Sequence, residues 1–432
     1  MKLFNNFYNM KVGIVDLTKL SFETISLDKK IAAEKIGGAA VNEDLFKQYK
    51  DDVPLVIGVG PLTGSFAPAS CLAVATFLSP RFGGNLCHIP LMLRTGPDMK
   101  FSGIDFLVIK GIASSPKILH VDKGFVRILS AEHLIRVDIP ECLRILKKEM
   151  AHSRSILLTG PAADNGVQIA SVSTGFNGSL DKVGLAFSMA SKNLKGIVFN
   201  GTDGLSFIED NLKHNETIEK RLFAEEGHKN EGFLSMLDKI GIEENLRGVI
   251  KKAKCRNMAC YHCPSPCMSS VRFKWYDPRK NARVEDNILL SDHMGFLALA
   301  KKKGKDIFPL SESCHRFGLD PVAVADRLPE SLSLLESLNA IEEISVTPEM
   351  PEIRPELHQS EEIYNLFGGG LPPILPDELR KKRIGISMIL GVCPIFLLRF
   401  PQISELDLLE FLTNNEPDLE FLEKEIQSIL GE

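Results

Sequence analysis

The sequence predicts an α+β protein, with a large β-rich N-terminal domain over residues 1–203 and a mostly helical region over 204–432. A change of texture carries that division. Up to about residue 200, short apolar runs of Val, Ile, Leu and Phe end at Gly or Pro, the pattern of strands closed by turns. Beyond Gly204, apolar residues recur at three- and four-residue spacing, the period of packed helices. A chain of 432 residues is long enough for two or three domains with sizeable cores.

Taken in order, strands are expected over 11–17, 54–60, 105–111, 155–160 and 196–201. Gly37-Gly38 precedes a helical pattern over 39–49. Bare backbone N–H groups at that pair could cradle a phosphate, and a plain turn reads equally well. Gly60-Pro61-Leu62-Thr63-Gly64 is a tight connection. In the second region, helices are expected over 232–239, 287–301 and 307–317. Leu319-Asp320-Pro321 ends the last of these, because a residue before proline avoids the helical region. Proline and glycine mark loops over 348–355 and 368–376, and the acidic, amphipathic stretch 406–430 reads as a terminal helical cap.

Composition excludes several classes. Hydrophobic residues make up 44% and charged residues 25%, as in an ordinary folded protein. With 56 acidic against 51 basic residues the net charge is -5, which offers no basic footprint for nucleic acid or anionic lipid. The N-terminal stretch lacks the continuous apolar core of a signal peptide. The longest nearly apolar stretch, 384–398, is interrupted by Gly391 and Pro394 and is too short to cross a bilayer. A cytoplasmic, reducing location without membrane insertion is therefore expected. The basic run 301–305 reads as a solvated helix end or as a docking patch for an acidic redox partner.

Nine cysteines do not make a disulfide scaffold, and an odd count resists complete pairing. The informative ones are Cys260, Cys263 and Cys267, a C-x2-C-x3-C segment with Pro264 and Pro266 stiffening the intervals. The first gap closes a tight chelate loop; the second, one residue longer, suits a cubane corner better than a zinc knuckle. A [4Fe–4S] cluster needs a fourth thiolate. Cys393 in Gly391-Val392-Cys393-Pro394 supplies it, since proline fixes the chain as it leaves a cluster. Structural zinc, or three ordinary buried thiols, are the alternatives. Cys255 is an alternative ligand, while Cys71, Cys87, Cys142 and Cys314 read as small buried side chains.

These segments, taken together, resemble the tungsten-containing aldehyde:ferredoxin oxidoreductase family from about residue 11 to about 400, with a large deletion. Val12-Gly13-Ile14-Val15-Asp16-Leu17-Thr18 is similar to the family's first strand, and Ile36-Gly37-Gly38 to its Gly-Gly element. Gly60 to Gly64 matches G-P-L-T-G, and Lys100-Phe101-Ser102-Gly103-Ile104-Asp105 resembles K-x-A-G-x-D. Ser191-Lys192-Asn193-Leu194-Lys195-Gly196-Ile197 is close to S-K-N-L-K-A-I, and the cysteine segments follow in the family's order. The resemblance implies a β-rich domain carrying a tungsten or molybdenum bis-pterin, helical domains covering it, and a neighbouring [4Fe–4S] cluster serving ferredoxin.

The departures cluster at the positions that would face the pterin. The two pterin motifs, D-x-x-G-L-D and D-x-x-G-L-C, become His315-Arg316-Phe317-Gly318-Leu319-Asp320 and Met388-Ile389-Leu390-Gly391-Val392-Cys393. Each has lost its leading carboxylate, the group able to accept two pterin N–H bonds. P-G-S-G-R becomes Pro68-Ala69-Ser70-Cys71-Leu72, and N-x-G-G becomes Pro90-Leu91-Met92-Leu93. G-R-G-G becomes Asp181-Lys182-Val183-Gly184, and no residue inherits the family's proton-transfer histidine. The remaining pterin contacts are Gly37, Gly38, Lys182, Leu319 and Asp320. Three functions fit this pattern: an iron–sulfur electron-transfer protein or subunit working with ferredoxin or a larger redox subunit; an active metal-pterin aldehyde oxidoreductase; or a structural or regulatory paralogue tied together by its cluster. Homo- and hetero-oligomers are both compatible with it.

Overall fold

A computed structural model describes residues 8–150, 155–175, 177–178, 181–202, 209–226, 232–348, 375–412 and 419–430. Two six-stranded sheets build the first region. In the first sheet β1 (Lys11–Asp16), β2 (Ser21–Ser26), β3 (Leu55–Val59), β4 (Ala73–Ser79), β5 (Asn85–Leu91) and β6 (Phe106–Lys110) lie in the order β2-β1-β6-β3-β4-β5. Only β1 and β6 run parallel. The second sheet holds β7 (Lys117–Asp122), β8 (Phe125–Ser130), β9 (Ser155–Thr159), β10 (Val172–Thr174), β11 (Asn177–Gly178) and β12 (Leu194–Phe199), in the order β11-β10-β9-β12-β7-β8. Every residue of β3, β9 and β12 is buried, so these strands show no polar–apolar alternation, and the one charged residue among them, Lys195, is paired with Asp164 at 2.6 Å.

The second region is largely helical, as its spacing predicts, with one departure. A three-stranded antiparallel sheet of β13 (Lys254–Met258), β14 (Met268–Asp277) and β15 (Ala282–Leu290) interrupts the helices. The helix expected over 287–301 in fact begins at His293, where the Asp292 side chain accepts from the N–H of Gly295 and caps it. Ile288-Leu289-Leu290 is an apolar run that suits either state, and pairing with Ser269, Ser270 and Val271 makes it a strand. The expected loops at 349–355 and 368–374, and the division between 203 and 204, lie outside the described residues.

The glycines of the first region position the C-terminal segment. Helix Gly38–Gln48 starts against helix Asp377–Leu390, and a Cβ on Gly38, whose φ is +52°, would collide with the Met388 carbonyl. Gly60 and Gly391 face each other the same way: a side chain on Gly391 (φ +88°) would strike Thr63, and one on Gly60 would strike Leu390. The G-P-L-T-G turn thus serves as the seat of the C-terminal helix pair. The Leu62 N–H donates to the Leu390 carbonyl at 3.0 Å, and Lys100 donates to the carbonyls of Pro61 and Thr63, both at 2.9 Å, from beneath.

Candidate cysteine-rich cluster site

Residues 260–267 form the turn between β13 and β14, and Cys393 stands between helices Asp377–Leu390 and Pro394–Arg399, as the N-cap of the latter. One residue, Ala69, joins the two through its N–H and its carbonyl. The Ala69 N–H donates to the His262 carbonyl at 2.8 Å, inside the C-x2-C loop. The Ala69 carbonyl accepts from the Cys393 N–H at 2.9 Å and from the Cys71 N–H at 2.8 Å. Ala69 adopts φ +57°, a left-handed conformation that costs an alanine about 1–2 kcal/mol, and these bonds hold it there. The loop is tied further. The Tyr261 N–H donates to the Leu93 carbonyl at 2.8 Å, the Tyr261 hydroxyl donates to the Gly64 carbonyl at 3.3 Å, and the Arg94 guanidinium lies 5.3 Å from the centre of the Tyr261 ring.

All four sequence-predicted ligands enter one apolar core, together with a fifth thiol, Cys71, which reads in the sequence as an ordinary buried side chain. Cys71, Cys260 and Cys393 are within hydrogen-bonding reach of one another, while Cys263 and Cys267 interact with Cys393 through charge. Cys260 and Cys71, then the backbone N–H groups of Phe396 and Ile395, favour the charged form of the Cys393 thiol. These contacts hold Cys393 well below the usual thiol range despite its burial. The other thiols are pushed up: Cys71 by its bonds to Cys260 and Cys393, Cys260 by Cys393, and Cys267 by burial. Burial takes Cys263 to about 12. Among the described residues, no group of three or more His, Cys, Asp or Glu side chains is arranged to hold a metal ion; these thiols pack on one another. Cys255 is exposed and takes no part.

The surroundings are apolar with one cation. Arg399, 6% exposed, donates to the Pro266 carbonyl at 3.3 Å, and its charge opposes the rise of the Cys263 and Cys267 pKa values. Met92 brings its sulfur to 3.8 Å from that of Cys393. His293 is buried, stacks on Phe233 at 4.4 Å and donates from Nε2 to the Cys267 carbonyl at 2.9 Å. Burial lowers its pKa to about 4, so the ring is neutral.

The expected pterin contacts lie elsewhere and are committed to one another. Lys182, fully enclosed, donates to Asp292 and, at 2.7 Å, to Asp320. Arg81 approaches Asp320 at 3.6 Å and donates to the Lys182 carbonyl at 2.7 Å. Burial opposes the charge on Lys182, but Asp292 and Asp320 outweigh it and hold its pKa above the ordinary value. Asp181 accepts backbone N–H bonds from Val172, Val183, Gly184, Leu185 and Ala186, using the donors an incoming anion would need. Leu319 is buried and bridges to Ala170. Gly37 and Gly38 are packed against Tyr8 and Met388, not around an open cradle. Burial takes the pKa of His315, in the place of a lost carboxylate, to about 4; it borders a cavity of about 60 Å³.

In the basic run, Lys303 donates to the carbonyls of Pro329, Glu330 and Leu332 and Lys302 pairs with Glu330 at 3.6 Å, which leaves little of a free basic patch. No helix among the described residues is long and apolar enough to cross a membrane.

Two β-sheets followed by helices that close over a cysteine-rich core define the scaffold. Residues 12–201 match the family described as "Aldehyde ferredoxin oxidoreductase, N-terminal domain". The chain is 23% identical over 311 residues to a tungsten-containing aldehyde ferredoxin oxidoreductase of Thermococcus kodakarensis, covering 65% of this chain and 50% of that protein. It is also 23% identical over 307 residues to the protein of that name from Pyrococcus furiosus, again with 65% and 50% coverage. The chain thus spans about half the length of the curated relatives it matches. A solved structure, the active site complex BamBC of benzoyl coenzyme A reductase with 1,5-dienoyl-CoA, superposes with a TM-score of 0.70 at 15% identity. That match covers 98% of this chain and 88% of the other, and it establishes the shared fold. The chain is thus a distant relative of the tungsten-containing aldehyde ferredoxin oxidoreductases, with the match to the family's N-terminal domain confined to residues 12–201.

Proposed function

We propose that this chain is an iron–sulfur electron-transfer protein carrying one [4Fe–4S] cluster on Cys260, Cys263, Cys267 and Cys393. The observation that carries the reading is the Ala69 peptide, which gathers two cysteine segments distant in sequence onto one buried volume. In chemical type the donor set suits the group, with Cys260, Cys263, Cys267 and Cys393 in one apolar core beside the Arg399 cation. Bound there, a cluster takes up and releases single electrons. The protein's own groups then have defined tasks. Arg399 offsets thiolate charge, His293 fixes the Cys267 backbone while remaining neutral, and the apolar shell keeps water from the sulfurs. The partner under this reading is ferredoxin or a larger redox subunit of the same family.

The residues expected to hold a bis-pterin do not fit it as placed, because Lys182 and Asp320 neutralise each other and Asp181 occupies the local backbone donors. Anaerobic reconstitution with ferrous iron and sulfide tests the proposal. It requires about four irons per chain and an iron–sulfur spectrum that bleaches on reduction. One tightly held zinc with no iron would overturn it. Stoichiometric tungsten or molybdenum with pterin would put the oxidoreductase reading first.

A further inference from the structure

The chain carries a net charge of -5, yet one face of its three-stranded sheet is basic. We infer that this face docks an acidic protein. The strand register assigns its residues. In β14, Ser270, Arg272, Lys274 and Tyr276 point away from the side on which Val271, Phe273 and Asp277 are buried. Arg256 of β13 stands opposite Ser270. Asn287, Glu285 and Arg283 of β15 stand opposite Arg272, Lys274 and Tyr276, and opposed residues share a face. The cations Arg256, Arg272, Lys274 and Arg283 therefore surround one carboxylate, Glu285. Arg272 and Lys274 share it at 3.3 and 3.4 Å, with side chains 60% and 79% exposed. Arg256 and Arg283 are exposed and reach no carboxylate among the described residues. Unlike Lys302 and Lys303, these side chains are left facing solvent.

An apolar seat adjoins the basic face. A surface groove of about 680 Å³ is lined by Lys274, Trp275, Tyr276, Pro278, Leu334 and Leu335. Lys274 and Tyr276 belong to both surfaces, and Tyr276 and Leu335 are left 51% and 38% exposed. Aromatic and aliphatic anchors beside a charged rim are the anatomy of a protein interface. Nucleic acid suits the face less well. Glu285 stands among the cations, where it would repel phosphate, and one exposed tyrosine makes no platform for successive bases. The same sheet carries the cysteine turn at its other end, since β13 stops at Met258 and β14 starts at Met268. Arg272 lies about 16 Å along the strand from Cys267. Docking here does not depend on what the thiols hold; under the cluster reading above, the face is the seat of the acidic electron carrier.

Binding of a fluorescently labelled plant-type ferredoxin, an acidic protein, to the full chain without added iron tests this. Affinity should fall about tenfold or more as salt rises from about 20 to about 200 mM. The pair Arg272→Glu and Lys274→Glu should weaken binding about tenfold or more, and Arg272→Ala with Lys274→Ala should weaken it less. Glu285→Gln should tighten it about threefold, because the one repelling charge is gone. Lys147→Glu with Lys148→Glu makes the same charge change on helix Ile139–Glu149 and should stay within about twofold of the unaltered chain. Circular dichroism reports that each variant is folded. If the paired reversal on the face weakens binding no more than this control, or if no salt-dependent binding occurs, the docking role is overturned. A single-stranded oligonucleotide bound more tightly than the ferredoxin would overturn it in favour of nucleic acid. Salt-dependent binding by a chain that never takes up iron would defeat the cluster reading and leave the docking face standing.

Discussion

The cysteine nest and the Arg81–Lys182–Asp292–Asp320 network are both buried, polar and assembled from distant segments, yet they are built in opposite ways. In the network each charge faces a countercharge at hydrogen-bonding or ion-pair distance, so the network is complete in itself. In the nest, backbone bonds through Ala69 do the positioning, and the sulfurs meet mainly one another. A self-neutralised network is explained by folding alone. Five enclosed thiols around one cation are not, because an apolar core is served as well by alanine or valine.

The difference can be broken experimentally. The largest effect is expected from Cys393→Ala, which removes the sulfur that all the others address. Iron bound after reconstitution should fall about tenfold or more, with the protein still folded by circular dichroism. Iron retained at the level of the unaltered chain would separate Cys393 from the nest.

Lys182→Met is the converse experiment. It strands Asp292 and Asp320 in the interior, and should lower unfolding stability by about 3–5 kcal/mol in urea while leaving iron per folded chain unchanged. A small loss of stability would show that water reaches the pair.

Acid sharpens the comparison further. Burial lowers the pKa of His293 and His315 to about 4, from the ordinary histidine value of 6.5. Because the folded values are depressed, the unfolded chain binds more protons between those limits. The contribution is fully present above pH 6.5 and is lost as pH falls toward 4. The loss is on the order of 2–3 kcal/mol per histidine. Urea midpoints at pH 7.5, 6 and 5 should fall in that order, and His315→Gln should flatten the slope. An unchanged slope would remove His315 from the account.

Gly38→Ala should have the smallest effect, about 1–3 kcal/mol from a left-handed backbone and a clash with the Met388 carbonyl. It acts where the C-terminal helix pair seats, so urea unfolding followed by a probe on that segment should report it first. A neutral result would mean that helix Asp377–Leu390 can shift away.

What was legible in the sequence follows from how local each signal is. The alternation of strands and turns before residue 200, the thiols at 260, 263 and 267, and the Cys-Pro at 393 all announce themselves within a few positions, and the α+β class with a β-rich first part and a largely helical second part is borne out. Cys71 does not, because a solitary cysteine looks like any small core residue. Its one available signal was that it lies in the 68–72 turn, which the family resemblance already placed near a cofactor. The Lys182–Asp320 pair spans 138 residues and has no local signature, so both residues read as free to bind a ligand. None of the β13–β15 sheet is among the expected elements, and its last strand overlaps an expected helix because a three-residue apolar run suits helix and strand alike. The alternating burial of Val271 and Phe273 in β14 was the better guide.

The Ala69 peptide also sets an order of events. The cysteine hairpin and the Cys393 bend meet through it, and Pro266 and Arg399, which join across the same nest, stand 133 residues apart. As the chain leaves the ribosome, the hairpin emerges long before the segment that completes the ring of sulfurs. On the proposed cluster reading, loading on all four thiolates would have to wait for helices Asp377–Leu390 and Pro394–Arg399 to be synthesised and seated on the G-P-L-T-G turn.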